Sequence, residues 1–585
     1  MNTQKTRSFF TLIFAVCSIC FLSNVSSLYA SSETKEIRKA IREAHRQEGG
    51  YDIYLLIGQS NMAGRGTMIA SDTVDFIPEV YLLNQQGLPE LAKAPLNRYS
   101  TIRKALPNQQ MGLGYSFAEL MHHYSGRKIL LVVNARGGSS IKSWAPDDKE
   151  HAYLTEAIKR TREALPYGEL KGILWHQGET DVQKNTSDYV ERFTAMMQHL
   201  RRELNATNVP IAVGELGQWE WDRMNKIEAF NDSILPSICQ SLPLCTKVHS
   251  DDLKRLYKDK PSDPHFSREA QIDLGKRYAD ALLPYLTDIY VAPFYQDKKA
   301  AISFTFDDGD REHATLVAPE LEKRGFRGTF WIMASVIGKT DVTHPRLTWD
   351  QIREMTASGH EVSNHSWSHA KLTKLNEQEV LAEILRNDSA IEHETGVRPI
   401  TFCYPYNSHN AMVRRLASAG RVGTRLKQVG HGQQNNKTTP EKLSRWLHRT
   451  LESGDWGVTM THGINEGYDK WYRPQQLWDF FDEVKSKEDS IWVGTFRDVA
   501  AYRAERENLL LRIDRSRRSI TIVPRLLLDQ KLFRHPLTMI VRGDWSEKNI
   551  VVSQHNKILQ TQVEGDKLIF DFDPSAGRIR IEWKR

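Results

Sequence analysis

The chain has 585 residues, 40% of them hydrophobic and 26% charged, the composition of an ordinary globular protein long enough for several domains. Its formal charge of +6 is small and scattered. There is no Lys/Arg block, so the basic footprint of a nucleic-acid-binding protein is missing.

Lys5 and Arg7 precede the apolar run Phe9 to Leu22, which is shorter than the ~20 residues a membrane span needs. This reads as a secretory signal over 1–30, cut after Ala30. It predicts a secreted or periplasmic protein with no stable membrane insertion, and no later run is apolar enough to span a bilayer. Of five cysteines, Cys17 and Cys20 leave with the signal. Cys239 and Cys245 could pair in an oxidising compartment, and Cys403 remains as a buried thiol.

Residues 31–48 are rich in helix formers and read as a short helical segment. From Tyr51 to Leu286, apolar runs (Ile53 to Ile57, Val80 to Leu83, Ile129 to Asn134, Gly172 to His176, Ile211 to Glu215) alternate with amphipathic stretches such as Asp188 to Glu203 and Arg268 to Leu286. That alternation predicts an α/β/α domain on a parallel sheet over 49–290, with ligands at the carboxyl ends of the strands. A boundary near Thr287 to Lys299 leads into a second strand–helix alternation, a distorted (β/α) barrel over 291–505. Beyond it, short runs of alternating polarity over 506–585 predict a small β-sandwich accessory domain. Trp545 is expected on one of its loops.

Two sets of motifs carry chemistry. In the first domain Gly58-Gln59-Ser60-Asn61-Met62 follows the first strand, so the Ser60 hydroxyl can face a cleft. Asn134-Ala135-Arg136-Gly137-Gly138 and Trp175-His176-Gln177-Gly178-Glu179 follow later strands. Gly138 offers a backbone N–H and Gln177 a side-chain amide for an oxyanion, and Ser262-Asp263-Pro264-His265 supplies a base. This set resembles the SGNH-hydrolase superfamily, in particular its sialate O-acetylesterase and carbohydrate-esterase-family-six (acetylxylan esterase) branch. The resemblance implies Ser60 as nucleophile, the Ser60 amide with Gly138 and Gln177 as oxyanion hole, and His265 as base. The superfamily usually places Asp three residues before that His. Here Asp263 is two before, which leaves Asp263 or Glu179 as the third member.

In the second domain Thr305-Phe306-Asp307-Asp308-Gly309 ends a strand, and His365 and His369 are four apart. On a helical turn that spacing puts both imidazoles on one face. Neighbouring strand residues point opposite ways, so one Asp would bind a metal and the other act as base. These motifs resemble the polysaccharide deacetylase (NodB homology, carbohydrate esterase family four) family. The resemblance implies Asp308, His365 and His369 as ligands of a divalent metal, most often zinc, with Asp307 as base. It also implies the Tyr406 N–H at the oxyanion and His462 as general acid. The serine domain needs no cofactor. The family often has an Arg where this chain has Cys403, and Arg425 is a candidate substitute. Asp455-Trp456 resembles the fourth motif, with Trp456 lining an acetyl pocket or packing in the core.

Together the motifs predict a bifunctional enzyme that removes acetyl groups from acetylated polysaccharide, O-acetylated xylan above all. The alternatives are N-deacetylation of chitin-like or peptidoglycan amino sugars by the metal site, or a non-catalytic carbohydrate-binding protein on two esterase folds. Trp144, Trp219, Trp221 and Trp471 are candidates for stacking on sugar rings, and equally for the core.

Overall fold

Tyr51–Gly58 forms β1, and all eight of its residues are buried. A parallel strand covered on both faces requires such an unbroken apolar run. The structure is a computed structural model and describes residues 50–219, 224–250, 252–257, 259–260, 262–339, 344–546 and 549–584. The signal and helical segment assigned to 1–48, and Trp221, lie outside the described residues.

β1 is central in a seven-stranded sheet of order β3–β2–β4–β1–β5–β6–β7. Its neighbours are β2 (Val80–Leu83), β3 (Pro89–Leu91), β4 (Ile129–Val133), β5 (Gly168–His176), β6 (Ile211–Gly214) and β7 (Cys245–Val248). Only the β2–β3 pair is antiparallel. Alternate residues of β1 feed opposite cores, as strand periodicity dictates. Ile53, Leu55 and Ile57 pack with Ile158 of α1 (Tyr153–Ala164) and Phe193 of α2 (Tyr189–Glu203). Tyr54 and Leu56 pack with Leu274 and Tyr278 of α3 (Arg268–Leu286). The connections diverge between β4 and β5 on either side of β1, so the crevice at their carboxyl ends is the natural ligand position.

The boundary segment near Thr287 to Lys299 contains β8 (Ile289–Val291). It is recruited by the last domain. Its three residues are buried and pair antiparallel with β20 (Leu537–Arg542). A run this short carries too little pattern to be read as a strand from the sequence.

The second α/β unit has two parallel sheets. One runs β10 (Thr305–Phe306), β11 (Thr329–Ile332), β12 (Glu361–Asn364), β13 (Thr401–Cys403), β14 (Gly423–Arg425). The other runs β15 (Val429–Gly430), β16 (Trp456–Met460), β9 (Ala300–Ser303), β17 (Ile491–Val493). A parallel bridge between Phe306 and Thr461 joins them into a curled, half-barrel wall. Phe304, Phe306, Phe330 and Ile332 fill it.

The remaining strands make two antiparallel sheets. One contains β18 (Leu509–Ser516), β19 (Ser519–Leu526), β21 (Asn549–Gln554), β22 (Lys557–Ile558) and β25 (Ile579–Lys584). The other contains β8, β20, β23 (Thr561–Glu564) and β24 (Lys567–Phe572). Ile520 and Ile522 of the first share a core with Met539, Val541 and Phe570 of the second. Trp545 is buried there, its Nε1 donating to the Val541 carbonyl at 2.9 Å, and is not the exposed loop residue expected. The Cys239 and Cys245 sulfurs lie 2.9 Å apart as free thiols.

The two α/β units meet through charged side chains. Arg277 bridges Asp252 and Asp455, Lys276 reaches Glu507 at 2.6 Å, and Arg506 reaches Asp280 at 2.8 Å.

Candidate active sites

Ser60 follows β1, where Gly58 has φ +139° and a Cβ would sit 2.2 Å from the His176 carbonyl oxygen. Only glycine lets β1 approach β5 this closely while turning the chain into the short helix Ser60–Ala63. The Ser60 Oγ lies 3.0 Å from His265 Nε2. His265 Nδ1 lies 2.9 Å from Asp263 Oδ1, which also accepts the His265 N–H at 3.0 Å. One carboxylate oxygen therefore fixes both the ring and the backbone of His265. Arg255 and Phe266 form a β-bridge that holds this loop, and Trp219 Nε1 donates to the Asp263 carbonyl at 2.9 Å. Half-buried Trp219 thus props the loop that carries Asp263 and His265. Burial lowers the His265 pKa from the ordinary imidazole value; Asp263 opposes the shift and Arg65 adds to it.

Asp263 occupies the orienting position, and Glu179 does not. Glu179 accepts from Asn61 Nδ2 at 2.6 Å, and burial pushes its carboxyl up to about 7. It braces the turn after Ser60 from behind.

Gln177 departs from the expectation. Its Nε2 donates to the Ser139 carbonyl at 2.9 Å and to Asp181 Oδ2 at 2.5 Å, with Gln59 Oε1 at 3.1 Å, and its Oε1 accepts from Tyr189. It is fully buried. An amide has two N–H bonds, both spent here on structure, so Gln177 is no oxyanion donor. Asp181 organises this layer, also accepting from Ser140 Oγ and the Ile141 N–H.

Gly138 has φ +77°, and a Cβ on Gly137 would lie 3.6 Å from Ser60 Cβ and 2.8 Å from Arg65 Nη2. The glycine pair thus leaves its backbone open beside Ser60, as an oxyanion site needs. Arg65 follows the Ser60–Ala63 helix, five residues after the serine, and carries no signal in the sequence beyond that proximity.

In the second unit the chain leaves β10 through Asp307, whose N–H bonds the Thr461 carbonyl, and turns at Asp308 with φ +77°. This turn lets both carboxylates face the same cleft. Asp307 is buried and gripped by Arg425, Nη1 to Oδ1 at 2.6 Å and Nη2 to Oδ2 at 2.5 Å. Burial works against its charge, but Arg425 overrides this and holds the carboxyl below its usual range. Cys403 is the direct register partner of Arg425 on the adjacent strand. The bracing guanidinium has moved one strand over, and the Cys403 thiol sits 3.9 Å from Asp307 Oδ2.

Asp308 Oδ1 lies 3.4 Å from His365 Nε2 and 3.5 Å from His369 Nε2. The two histidines are not on a helical turn. They lie on the irregular loop after β12, which closes on itself through positive φ at Ser366 (+63°) and His369 (+61°). Asn364 stabilises the loop by accepting the Ser366 N–H at 2.7 Å, and is itself held by Asn387 and Asp388.

The ligand atoms of Asp308, His365 and His369 fall within 4.8 Å of one another. His365 Nδ1 is 2.9 Å from the Cys403 carbonyl, which fixes its Nε2 toward the other two. Asp308 Oδ1 is buried with no hydrogen-bond donor, so these residues fit a divalent cation. Asp307, His365 and Cys403 also converge, but Arg425 already satisfies Asp307.

His462 follows β16, its Nε2 3.9 Å from Asp307 Oδ2 and its carbonyl 2.8 Å from His313 Nε2. The exposed Tyr468 ring lies 4.9 Å from His462. Tyr406 has φ +58°, its exposed ring 4.6 Å from His369.

Trp456 is not in this site. It begins β16, pairing with Ala301, whereas His462 lies beyond the other end of that strand. Six residues of extended chain span roughly 20 Å. Its indole donates to Ser303 Oγ and packs on Phe496, and the adjacent Asp455 serves the inter-domain contact with Arg277. Trp144 and Trp471 are also buried and cannot stack on a ligand.

Residues 50–284 match the family described as "Carbohydrate esterase, sialic acid-specific acetylesterase", and residues 295–423 match "Polysaccharide deacetylase". The chain is therefore similar to the first family over one stretch and to the second over another, and both are classes of hydrolase acting on carbohydrate esters or amides. A probable carbohydrate esterase of Arabidopsis thaliana is 29% identical over 254 residues, 40% of this chain and 90% of that protein. A solved Arabidopsis thaliana structure, 25% identical, covers 41% of this chain and 100% of its own, with a TM-score of 0.35. A peptidoglycan-N-acetylglucosamine deacetylase of Listeria monocytogenes is 33% identical over 141 residues, 24% of this chain and 28% of that protein. A chitin deacetylase of Cryptococcus neoformans is 30% identical over 132 residues, 23% and 26% of the two chains. The matches to the two deacetylases span under a third of their length.

Proposed function

We propose that this chain is a secreted deacetylase with two independent active sites that strip acetyl groups from one acetylated polysaccharide, O-acetylated xylan in the first instance. The observation that carries the reading is that one chain holds both a complete Ser60–His265–Asp263 relay and a complete Asp308–His365–His369 cluster with a braced Asp307. A binding protein has no use for either set.

In the serine site Ser60 Oγ attacks the acetyl carbon while His265 Nε2 takes its proton. Asp263 holds the Nδ1–H, and the Ser60 and Gly138 amides face the developing oxyanion. His265 then returns the proton to the departing sugar oxygen, and water releases acetate by the same relay.

In the other site a divalent cation, zinc by family resemblance, supplies Lewis-acid polarisation when bound. Asp307, kept ionised by Arg425, takes the proton of the attacking water. The Tyr406 N–H faces the oxyanion, and His462 gives a proton to the leaving oxygen or nitrogen.

A second reading gives the metal site amino-sugar amides, because the Listeria and Cryptococcus relatives of that domain are named for peptidoglycan N-acetylglucosamine and chitin.

Acetate release from acetylxylan separates the readings, measured for wild type, Ser60→Ala and Asp307→Asn with and without chelator. Two sites on one polymer predict that Ser60→Ala removes the chelator-resistant release and Asp307→Asn the chelator-sensitive release. Release that depends on Ser60 alone, with acetate freed from acetylated chitooligosaccharides in an Asp307-dependent way, establishes the second reading instead.

A further inference from the structure

Gln177 leaves a gap in the serine site. The side-chain donor expected to face the acyl oxygen is turned into the protein, both of its N–H bonds spent on Ser139 and Asp181. The backbone amides of Ser60 and Gly138 then stand without a side-chain partner for the charge that forms on attack.

The space beside them is bounded by a cation. The point where a Gly137 side chain would begin lies 2.8 Å from Arg65 Nη2 and 3.6 Å from Ser60 Cβ. A residue larger than glycine would fill the volume between the guanidinium and the serine. Arg65 is half-buried and makes no hydrogen bond or ion pair with any described residue. Among the described residues, the buried guanidiniums of Arg425, Arg421 and Arg506 are each paired with a carboxylate, on Asp307, Asp388 and Asp280 respectively. A half-buried cation without a partner costs solvation, and a ligand's negative charge is what offsets that cost. Burial lowers the Arg65 pKa, with Asp263 drawing it back up, so the guanidinium feels the triad carboxylate. Lys104 Nζ stands 3.3 Å from the corresponding point on Gly138, but Lys104 is exposed.

We propose that Arg65 is a catalytic residue of the serine site, its guanidinium donating to the acyl oxygen in the role Gln177 was expected to fill. This rests on Ser60 being the nucleophile. When Ser60 Oγ bonds to the acyl carbon and its proton passes to His265, the carbonyl π pair moves onto the acyl oxygen. That oxygen then meets the Ser60 and Gly138 amides and one Arg65 N–H. On collapse the pair reforms the carbonyl, the sugar oxygen leaves, and His265 returns the proton to it. Arg65 keeps its own protons throughout.

The test uses the full-length protein with chelator present and 4-nitrophenyl acetate, a neutral ester with no sugar and no carboxylate. Ser60→Ala must first abolish this activity; if it does not, the nucleophile assignment fails and the Arg65 proposal with it. With that satisfied, Arg65→Gln is expected to lower kcat by about 10²-fold with little change in KM, the usual effect of removing one oxyanion donor. Arg65→Lys should recover part of the loss, and added guanidinium ion should partly rescue Arg65→Ala. Inhibition by methylboronic acid, whose serine adduct is a tetrahedral anion, should weaken at least about tenfold in Arg65→Gln, giving a readout independent of turnover. A kcat on 4-nitrophenyl acetate within about threefold of wild type overturns the proposal. So does a loss confined to acetylated sugars bearing a carboxylate, which would make Arg65 a reader of substrate charge.

Discussion

The two sites of this chain handle buried charge in opposite ways. In the proposed serine site the candidate base is a histidine whose neutral form burial favours, and a single oxygen of Asp263 meets both its ring Nδ1 and its backbone N–H. In the proposed metal site the candidate base is a carboxylate, Asp307, whose charge is held by two hydrogen bonds from a fully buried arginine. A His relay needs a group that gains and loses a proton near neutrality. A site built for a dication needs anions that stay anions, and at Asp307 that requires a permanent counter-charge. The same physical cost, burial of a titratable group, is used as a tuning device in one site and cancelled in the other.

The sharpest way to break the comparison is to remove the orienting carboxylate. Asp263→Asn should lower chelator-resistant kcat by roughly 10⁴-fold, since the ring loses its preferred tautomer. The metal site should be untouched, as acetate release assayed in Ser60→Ala and in Asp263→Asn will show. Asp308→Ala should do the converse. It should abolish bound metal, as measured by elemental mass spectrometry of the purified protein, and lower chelator-sensitive release by about 10³-fold with the serine site intact.

Arg425→Ala leaves Asp307 buried without its counter-charge, a change that costs about 3–5 kcal/mol. Urea unfolding should show that loss as a lower midpoint. Arg425→Lys should recover only part of it, because an ammonium cannot grip both carboxylate oxygens. A midpoint unchanged in Arg425→Ala would mean that the Asp307 pair contributes nothing to the fold.

The pH dependence sharpens the contrast further. The His265 pKa is lowered, so its neutral, proton-accepting form persists to lower pH than an ordinary imidazole allows. Chelator-resistant kcat/KM should therefore rise with pH and reach half its maximum below about 6.5. A midpoint above that value would show that burial does not govern this base. Glu179→Gln is expected to have the smallest effect, within about threefold on kcat, because the carboxyl sits behind the site and is already pushed up to about 7. A loss as large as that of Asp263→Asn would return Glu179 to the triad.

Much of this protein was legible in its sequence because local chemistry leaves local marks. The strand Val80–Leu83 and the helix Arg268–Leu286 have the bounds their hydrophobic patterns imply. Ser60, Asp263, His265, Asp307, Asp308, His365, His369 and His462 announce themselves by residue type at fixed spacing. What failed did so where a side chain's direction mattered. Trp456 and His462 are six residues apart, yet an extended strand carries them to its opposite ends. His365 and His369 have helical spacing but meet through two left-handed residues of a loop. Spacing alone cannot tell these geometries apart.

The sequence by itself determined the order of domains, the strand ends at which motifs sit, and the residue types that can do chemistry there, because hydrophobic period and motif are properties of neighbours in the chain. Only the tertiary structure decided that Asp263 rather than Glu179 orients His265, that Gln177 faces inward while Arg65 is left unpaired beside Ser60, and that Arg425 braces Asp307 from the strand next to Cys403. Those are choices between partners far apart in the chain, and packing makes them by deciding which buried polar groups can find one another.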